Sequence, residues 1–180
     1  MTSDYPWYSV VEGDELEQGD FLFDCLVLEP DVGLLRPGQQ GNEGSIQAKV
    51  NTYDVIILSQ SCDLVHGKLD LVLVCPHWPL SVFGQTNDFF RSSNGKEQIR
   101  RGNVPGYHML AACELEGLEC EIRVVIFRQV FALPFDVVRK LAVRQSPRLR
   151  LLPPYREHLA QAFARFFMRV GLPVDIPSFK

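Results

Sequence analysis

Apolar residues along this chain fall into short continuous runs more often than into helical stripes. Phe21–Leu28 is one such run, closed by Glu29-Pro30. Val55–Leu58 and Leu71–Cys75 are two more, short, continuous and rich in β-branched residues, which predicts strands buried on both faces. Gly67-Lys68 supplies a turn between them. Tyr107–Cys113, Glu121–Phe127 and Val130–Leu133 read as further strands, with the acidic turn Glu114–Glu119 between the first two. Ile46–Val50 reads as a strand leading into Asn51-Thr52-Tyr53, and residues 5–11 as a short edge segment. Residues 31–46 are glycine-rich, have no apolar period and lack the Lys-Ser/Thr of a phosphate-binding loop, so they carry no nucleotide role.

Helical spacing appears in three places. Residues 79–106 form an excursion, with Leu80, Phe83, Phe89 and Phe90 on one short helix and Lys96–Arg101 on another stopped by Gly102. Pro134 opens a helix with Phe135, Val138, Leu141 and Ala142 on one face, and Ser146-Pro147 ends it. Pro153-Pro154 precedes the last helix and Gly171 follows it. Leu159, Phe163, Phe166, Phe167 and Val170 make a wide aromatic stripe there, expected to dock on its own chain. The reading is one domain over residues 1–180, mainly β with α. Its core covers about 19–142 with the insertion 79–106, and a helical extension covers 143–180.

The 180 residues are 46% hydrophobic with twelve Phe, enough for one proper core. No apolar run approaches about 18 residues, so no membrane span is expected. The first residues have no signal-peptide pattern, and five scattered cysteines suit a reducing compartment, so the expected location is cytoplasmic. Charge is unevenly placed. Residues 1–70 hold 13 Asp/Glu against 3 Lys/Arg, a balance of −10, while residues 139–170 hold 8 Arg/Lys against 1 Glu, a balance of +7. The arginines at the basic end are expected to meet the acidic third, within one chain or across a homodimer; the alternative is an anionic partner.

The polar segment directly after the Val55–Leu58 strand is the first candidate for chemistry, because loops on a rigid scaffold usually carry it. Ser59 and Gln60 are candidate binding residues there. Cys62, Asp63 and His66 are candidate catalytic residues: a thiolate needs a base beside it, and a carboxylate can orient the imidazole. The same residues also fit a plain turn in which Asp63 caps backbone N–H groups and Cys62 packs as a small apolar group. No cofactor is predicted. Zinc on Cys62, His66, Cys75 and His77 is an alternative, although this spacing lacks a C-x2-C knuckle. Lys96, Arg100 and Arg101, near Phe89 and Phe90, are candidates for contacting phosphate and stacking a base; a solvated helix face is the other reading. Cys25, Cys113 and Cys120 read as core or inert, and His108 and His158 as structural or exposed.

Gly19–Asp24 resembles the opening strand of the MazF/PemK toxin superfamily. Asp54–Ser59 looks like its "PVVVLS" strand, Leu71–Pro76 like its "VVVAP" strand, and residues 121–142 like its late strand and closing helix. The resemblance covers about residues 19–142 and implies an SH3-like barrel with a helical insertion and two C-terminal helices. Ser59–Leu64 also resembles a loop in a group of bacterial proteins of similar build, a likeness that brings no activity with it. Thr52-Tyr53 stands where RNA-cleaving members have Arg-Pro, and His77-Trp78 stands where they have Thr or Ser. The inherited pair for RNA cleavage is therefore missing. The expected function is a non-catalytic binding or accessory module of a bacterial toxin or defence system, with a protein partner or homodimer, possible nucleic-acid binding and no membrane. The alternative is an enzyme with a thiol- or metal-dependent hydrolase or ribonuclease site in the Ser59–His66 loop.

Overall fold

The runs Phe21–Leu28, Val55–Leu58 and Leu71–Cys75 pair as antiparallel neighbours at the centre of the molecule. The structure is a computed structural model that describes residues 5–30 and 48–168. The loop at 31–46 and Val170 of the aromatic stripe lie outside the described residues. The elements in chain order are β1 (Tyr8–Val11), β2 (Phe21–Pro30), β3 (Ala48–Ile57), α1 (Ser61–Val65), β4 (Leu71–Pro79), α2 (Leu80–Phe83), α3 (Asp88–Arg91), α4 (Ser93–Arg100), β5 (Tyr107–Leu110), β6 (Arg123–Ile126), β7 (Phe131–Pro134), α5 (Phe135–Arg144), β8 (Arg148–Leu151) and α6 (Tyr155–Phe167). The fold is mixed α/β with antiparallel pairing throughout the described strands.

The larger sheet runs β2-β3-β4-β6-β5, with β7 also on β4. β4 is shared along its length: Leu71–Val74 pairs with β7, and His77–Pro79 pairs with β6. That split gives the described strands an open path and not a closed barrel. β1 and β8 form a separate pair, joined to the start of β2 by the Asp20↔Arg150 bridge and the Leu151 N–H on the Gly19 carbonyl at 3.0 Å. Gly19 has φ +89°, and a Cβ there would sit 2.9 Å from Leu151 Cβ, so this crossing requires glycine.

Val55–Leu58 is buried on both faces, as its continuous apolar run predicts, but Leu71–Cys75 is not: Val72, Val74 and Cys75 are buried while Leu71 and Leu73 are exposed, so the first half of β4 alternates. Val55, Ile57, Val72 and Val74 enter one core, roofed by Val138 and Ala142 of α5. Ile56, Leu58 and Cys75 enter a second, with Tyr8, Phe21, Leu149, Leu151 and Leu159. Each such side chain, fully buried, contributes about 1.5–3 kcal/mol. β2 serves both cores through a β-bulge between Leu22 and Cys25, where Asp24 takes φ 49°. Strict alternation would put Leu22 and Asp24 on one face. The extra residue resets the phase, so Leu22, Cys25 and Val27 all reach the α5 side. The insertion packs Phe83, Phe90 and Ile99 over Val124 of β6. α3 and α4 approach so closely that a Cβ on Gly95 would lie 1.8 Å from the Phe89 carbonyl.

Three segments differ from the sequence reading. Leu80 and Phe83 lie on α2 and Phe89 and Phe90 on α3, not on one helix. Ser61–Val65 is a short helix and not a loop, held by burial of Leu64. Arg148–Leu151 is a strand, because its two arginines find acids in the chain's interior instead of water.

The aromatic stripe of α6 docks on the second core through Leu159, Phe163 and Phe166, while Phe167 at its end is exposed. Leu159 is fully buried, Phe163 and Phe166 pack beside it, and Tyr155 stacks on Trp7 at 3.6 Å between centroids. Deleting residues 153–180 is therefore expected to expose Phe127, Leu149 and Leu151 and to leave a chain that binds a hydrophobic dye and aggregates. A truncated chain that stays monomeric and as heat-stable as the full one would contradict this packing.

Candidate functional site

The basic end of the chain is largely consumed internally. Arg148, 1% exposed, donates from Nε and Nη2 to Oδ2 of Asp20, which is 0% exposed, at 3.1 and 3.0 Å. Its other N–H groups reach the carbonyls of Gly13 and Glu15. Arg150 pairs with Asp20 and Glu17, Arg156 with Glu17 at 3.0 Å, and Arg139 with Asp14 at 3.9 Å. The −10 and +7 ends thus meet within one chain. On α5, Lys140 and Arg144 remain at the surface beside Asp14 and Arg139, around a shallow depression of about 330 Å³.

A second basic surface is open. α4 and α6 flank a cleft of about 510 Å³ lined by Arg100, Arg101, His108, His158, Gln161 and Arg165, with Ile99, Met109 and Ala162 as apolar floor. Among the described residues, no Asp or Glu lines it. Arg100 and Arg101 share one carboxylate, Glu97, at 2.7 and 2.6 Å. Hydrogen bonds from Arg100 and then Arg101 hold Glu97 down at about 2, so it stays ionised and cancels one of the two charges. His108 lies nearly parallel to Phe127, with centroids 6.2 Å apart. Burial first, and His158 second, push its pKa down to about 4, so at neutral pH it is an uncharged donor and acceptor. The cleft therefore offers fixed cations, neutral imidazole and amide hydrogen bonds, and an apolar floor. Lys96 is exposed on α4 and is not among the lining residues. Phe90 is buried in the insertion core while Phe89 stays exposed, so only Phe89 remains available for stacking.

The Ser59–His66 segment lies elsewhere. Ser59 is buried, and its Oγ accepts from the Leu73 N–H at 2.8 Å, a structural bond between the end of β3 and β4. Gln60 is exposed at the N-cap of α1 without a side-chain cap. Cys62 is exposed. His66 is exposed at the C-cap, one turn from Cys62 and on the same face. Asp63 meets Lys68 at 3.8 Å. No hydrogen bond among the described residues links Cys62, Asp63 and His66. The zinc alternative is not assembled either: Cys75 and His77 are buried while Cys62 and His66 are exposed. Among the described residues, no group of three or more His, Cys, Asp and Glu side chains is placed to hold a metal.

One polar cluster was invisible in the sequence. Arg123 Nη1 donates to Asp54 Oδ2 at 3.0 Å and lies 3.3 Å from His77 Nδ1. The guanidinium has only hydrogens to offer, so Nδ1 accepts and Nε2 carries the imidazole proton. Phe23 lies under Arg123, and Phe21 and Phe23 both face His77. Burial, then Arg123, lowers His77 to about 3, with partial offset from the Val55 carbonyl. His77 Nε2 and Arg123 Nε are buried without a partner. Asp54 also accepts from the Asp24 N–H at 3.2 Å and so fixes the bulge. Only the register that sets His77 opposite Val125 and Arg123 opposite Pro79 brings these residues together.

No helix among the described residues is long and apolar enough to cross a membrane. No family profile matches the chain, and no curated protein matches it.

Proposed function

We propose that the chain is a non-catalytic binding module of a bacterial toxin or defence system, working in the cytoplasm on a diverged SH3-like scaffold of the MazF/PemK kind, and that its ligand is a single-stranded nucleic acid. The observation that carries the ligand is the cleft between α4 and α6, which presents Arg100, Arg101 and Arg165 with no acid among the described residues of its lining. Most of the other C-terminal arginines are spent on Asp14, Glu17 and Asp20. The scaffold reading is supported by the antiparallel β2-β3-β4 order and by α5 packed against it. Five unpaired thiols suit a reducing compartment. The enzymatic alternative at Cys62, Asp63 and His66 is the weaker proposal, since Asp63 is engaged by Lys68 and not by His66.

Binding of a labelled RNA or DNA oligonucleotide, followed by fluorescence anisotropy across a salt series, tests this reading. Arg165→Ala is expected to weaken binding several-fold and to flatten the log–log salt slope by about 0.7, the value for one lost phosphate contact on a single strand. Glu97→Gln is expected to tighten binding, because it frees Arg100 and Arg101 from their shared carboxylate. Absence of oligonucleotide binding by the full chain, or indifference to both substitutions, would overturn the proposal.

A further inference from the structure

Cys113 and Cys120 bracket the acidic turn 114–119, in which Gly117 takes φ +79°. The two cysteines are each other's partners in an antiparallel bridge. They exchange both backbone hydrogen bonds, Cys113 N–H to the Cys120 carbonyl at 2.8 Å and the reverse at 2.9 Å. Directly opposed residues of this kind have Cα atoms about 5.5 Å apart and side chains on the same face. A disulfide needs a Cα separation of roughly 4.4–6.8 Å, which a pair of this kind meets, and its Cβ atoms must close to about 3.5–4.5 Å. The remaining cysteines are arranged differently. Cys25 and Cys75 lie in separate cores, where burial raises them to about 11 and about 12, and Cys62 is alone on α1.

We propose that Cys113 and Cys120 are a thiol–disulfide modification site, closed by a small-molecule disulfide such as oxidised glutathione and reopened by thiols. Cys120, the more exposed of the two, attacks one sulfur of the oxidant as its thiolate. One glutathione leaves as thiolate and takes a proton. The Cys113 thiolate then attacks the Cys120 sulfur of the mixed disulfide, and the second glutathione leaves and is protonated. Two protein thiols are oxidised, one glutathione disulfide is reduced, and the protons go to the two leaving groups. In a reducing compartment the bond is transient and forms under oxidative load. It ties the start of the β6 segment to the end of β5, next to the Ala111 carbonyl that accepts from the Tyr8 hydroxyl at 2.6 Å.

The test uses the full chain carrying Cys62→Ser, which leaves four of the five thiols. The protein is incubated with oxidised glutathione, its remaining thiols are alkylated, and it is digested at glutamates so that the turn is cut. The expected result is a linked Cys113–Cys120 peptide pair, two thiols left, and a melting temperature raised by about 5 °C that returns with dithiothreitol. Adding Cys120→Ser is expected to abolish the linkage and the shift. Four thiols remaining, or glutathione held on Cys120 without linkage, would overturn the proposal; neither outcome bears on nucleic-acid binding by the cleft.

Discussion

Asp20→Asn is expected to lower unfolding stability by about 3–5 kcal/mol at pH 7, the range for removing one member of a buried ion pair. Among the described residues Asp20 is the only carboxylate that meets both Arg148 and Arg150, and it is wholly buried with Arg148. Asparagine keeps the shape but leaves buried Arg148 without a counter-charge and Arg150 with Glu17 alone. Against a typical total of about 5–15 kcal/mol, that loss is large. Urea denaturation of the variant beside Arg156→Ala checks it. Arg156 sits at the more open rim on Glu17, and its loss is expected to remove under about 1 kcal/mol. Equal effects of the two substitutions would mean that burial does not govern this network. Replacing Asp20, Arg148 and Arg150 together with apolar residues of similar volume should be far milder than Asp20→Asn, because no charge is then left stranded.

Acid is expected to destabilise the fold through His77 well before most carboxylates titrate. An unfolded histidine takes a proton as pH falls through 6.5, whereas buried His77 takes one only near 3. The unfolded chain therefore binds more protons across that window. The contribution of His77 to stability is complete above pH 6.5 and is lost progressively as pH falls toward 3. By pH 4 the loss reaches about 3 kcal/mol, at about 1.36 kcal/mol per unit. The facing groups are Arg123, which disfavours a second cation, and the rings of Phe21 and Phe23, which solvate none. Stability measured by denaturant at pH 7, 5.5 and 4 should fall more steeply for the native chain than for His77→Leu. Parallel curves for the two proteins would refute the assignment.

The sequence was most informative where one physical term dominated. β-Branched runs placed the inner end of β3, where Val55–Leu58 is buried on both faces, and the start of β4, where Val72 and Val74 are buried but Leu71 and Leu73 are exposed. The helix after Pro134 and the one after Pro153-Pro154 were legible because proline fixes the start and the apolar period shows the face. The pairing of basic and acidic ends followed from charge balance alone. What stayed hidden depended on partners distant in the chain. That the basic end would meet acids was expected, but not that Arg148 would do so wholly buried on Asp20. Arg123 reads as the outward charge of a strand until Asp54 and His77 are brought to it. β4 runs on through Pro76, which reads as a strand terminator, because β6 takes over its pairing from His77 onward. The cleft between α4 and α6 was half visible: Arg100 and Arg101 were singled out, but His108, His158 and Arg165 join them only through packing of the insertion beside the last helix.

The pairing of β1 with β8 also sets a clock. Asp20 and Arg148 are 128 residues apart. A ribosome adding about 5–20 residues per second needs roughly 6–26 s to make that interval. Throughout it, the first strand and its acidic flank have been synthesised without a partner, kept hydrated by uncompensated negative charge. The central strands already have their mates by then, and α5 already has a surface to roof. The last of the described strands to be made is thus the one that fastens the first of them. Translation stopped before residue 148 would leave a chain with an organised centre and a free, anionic leading end.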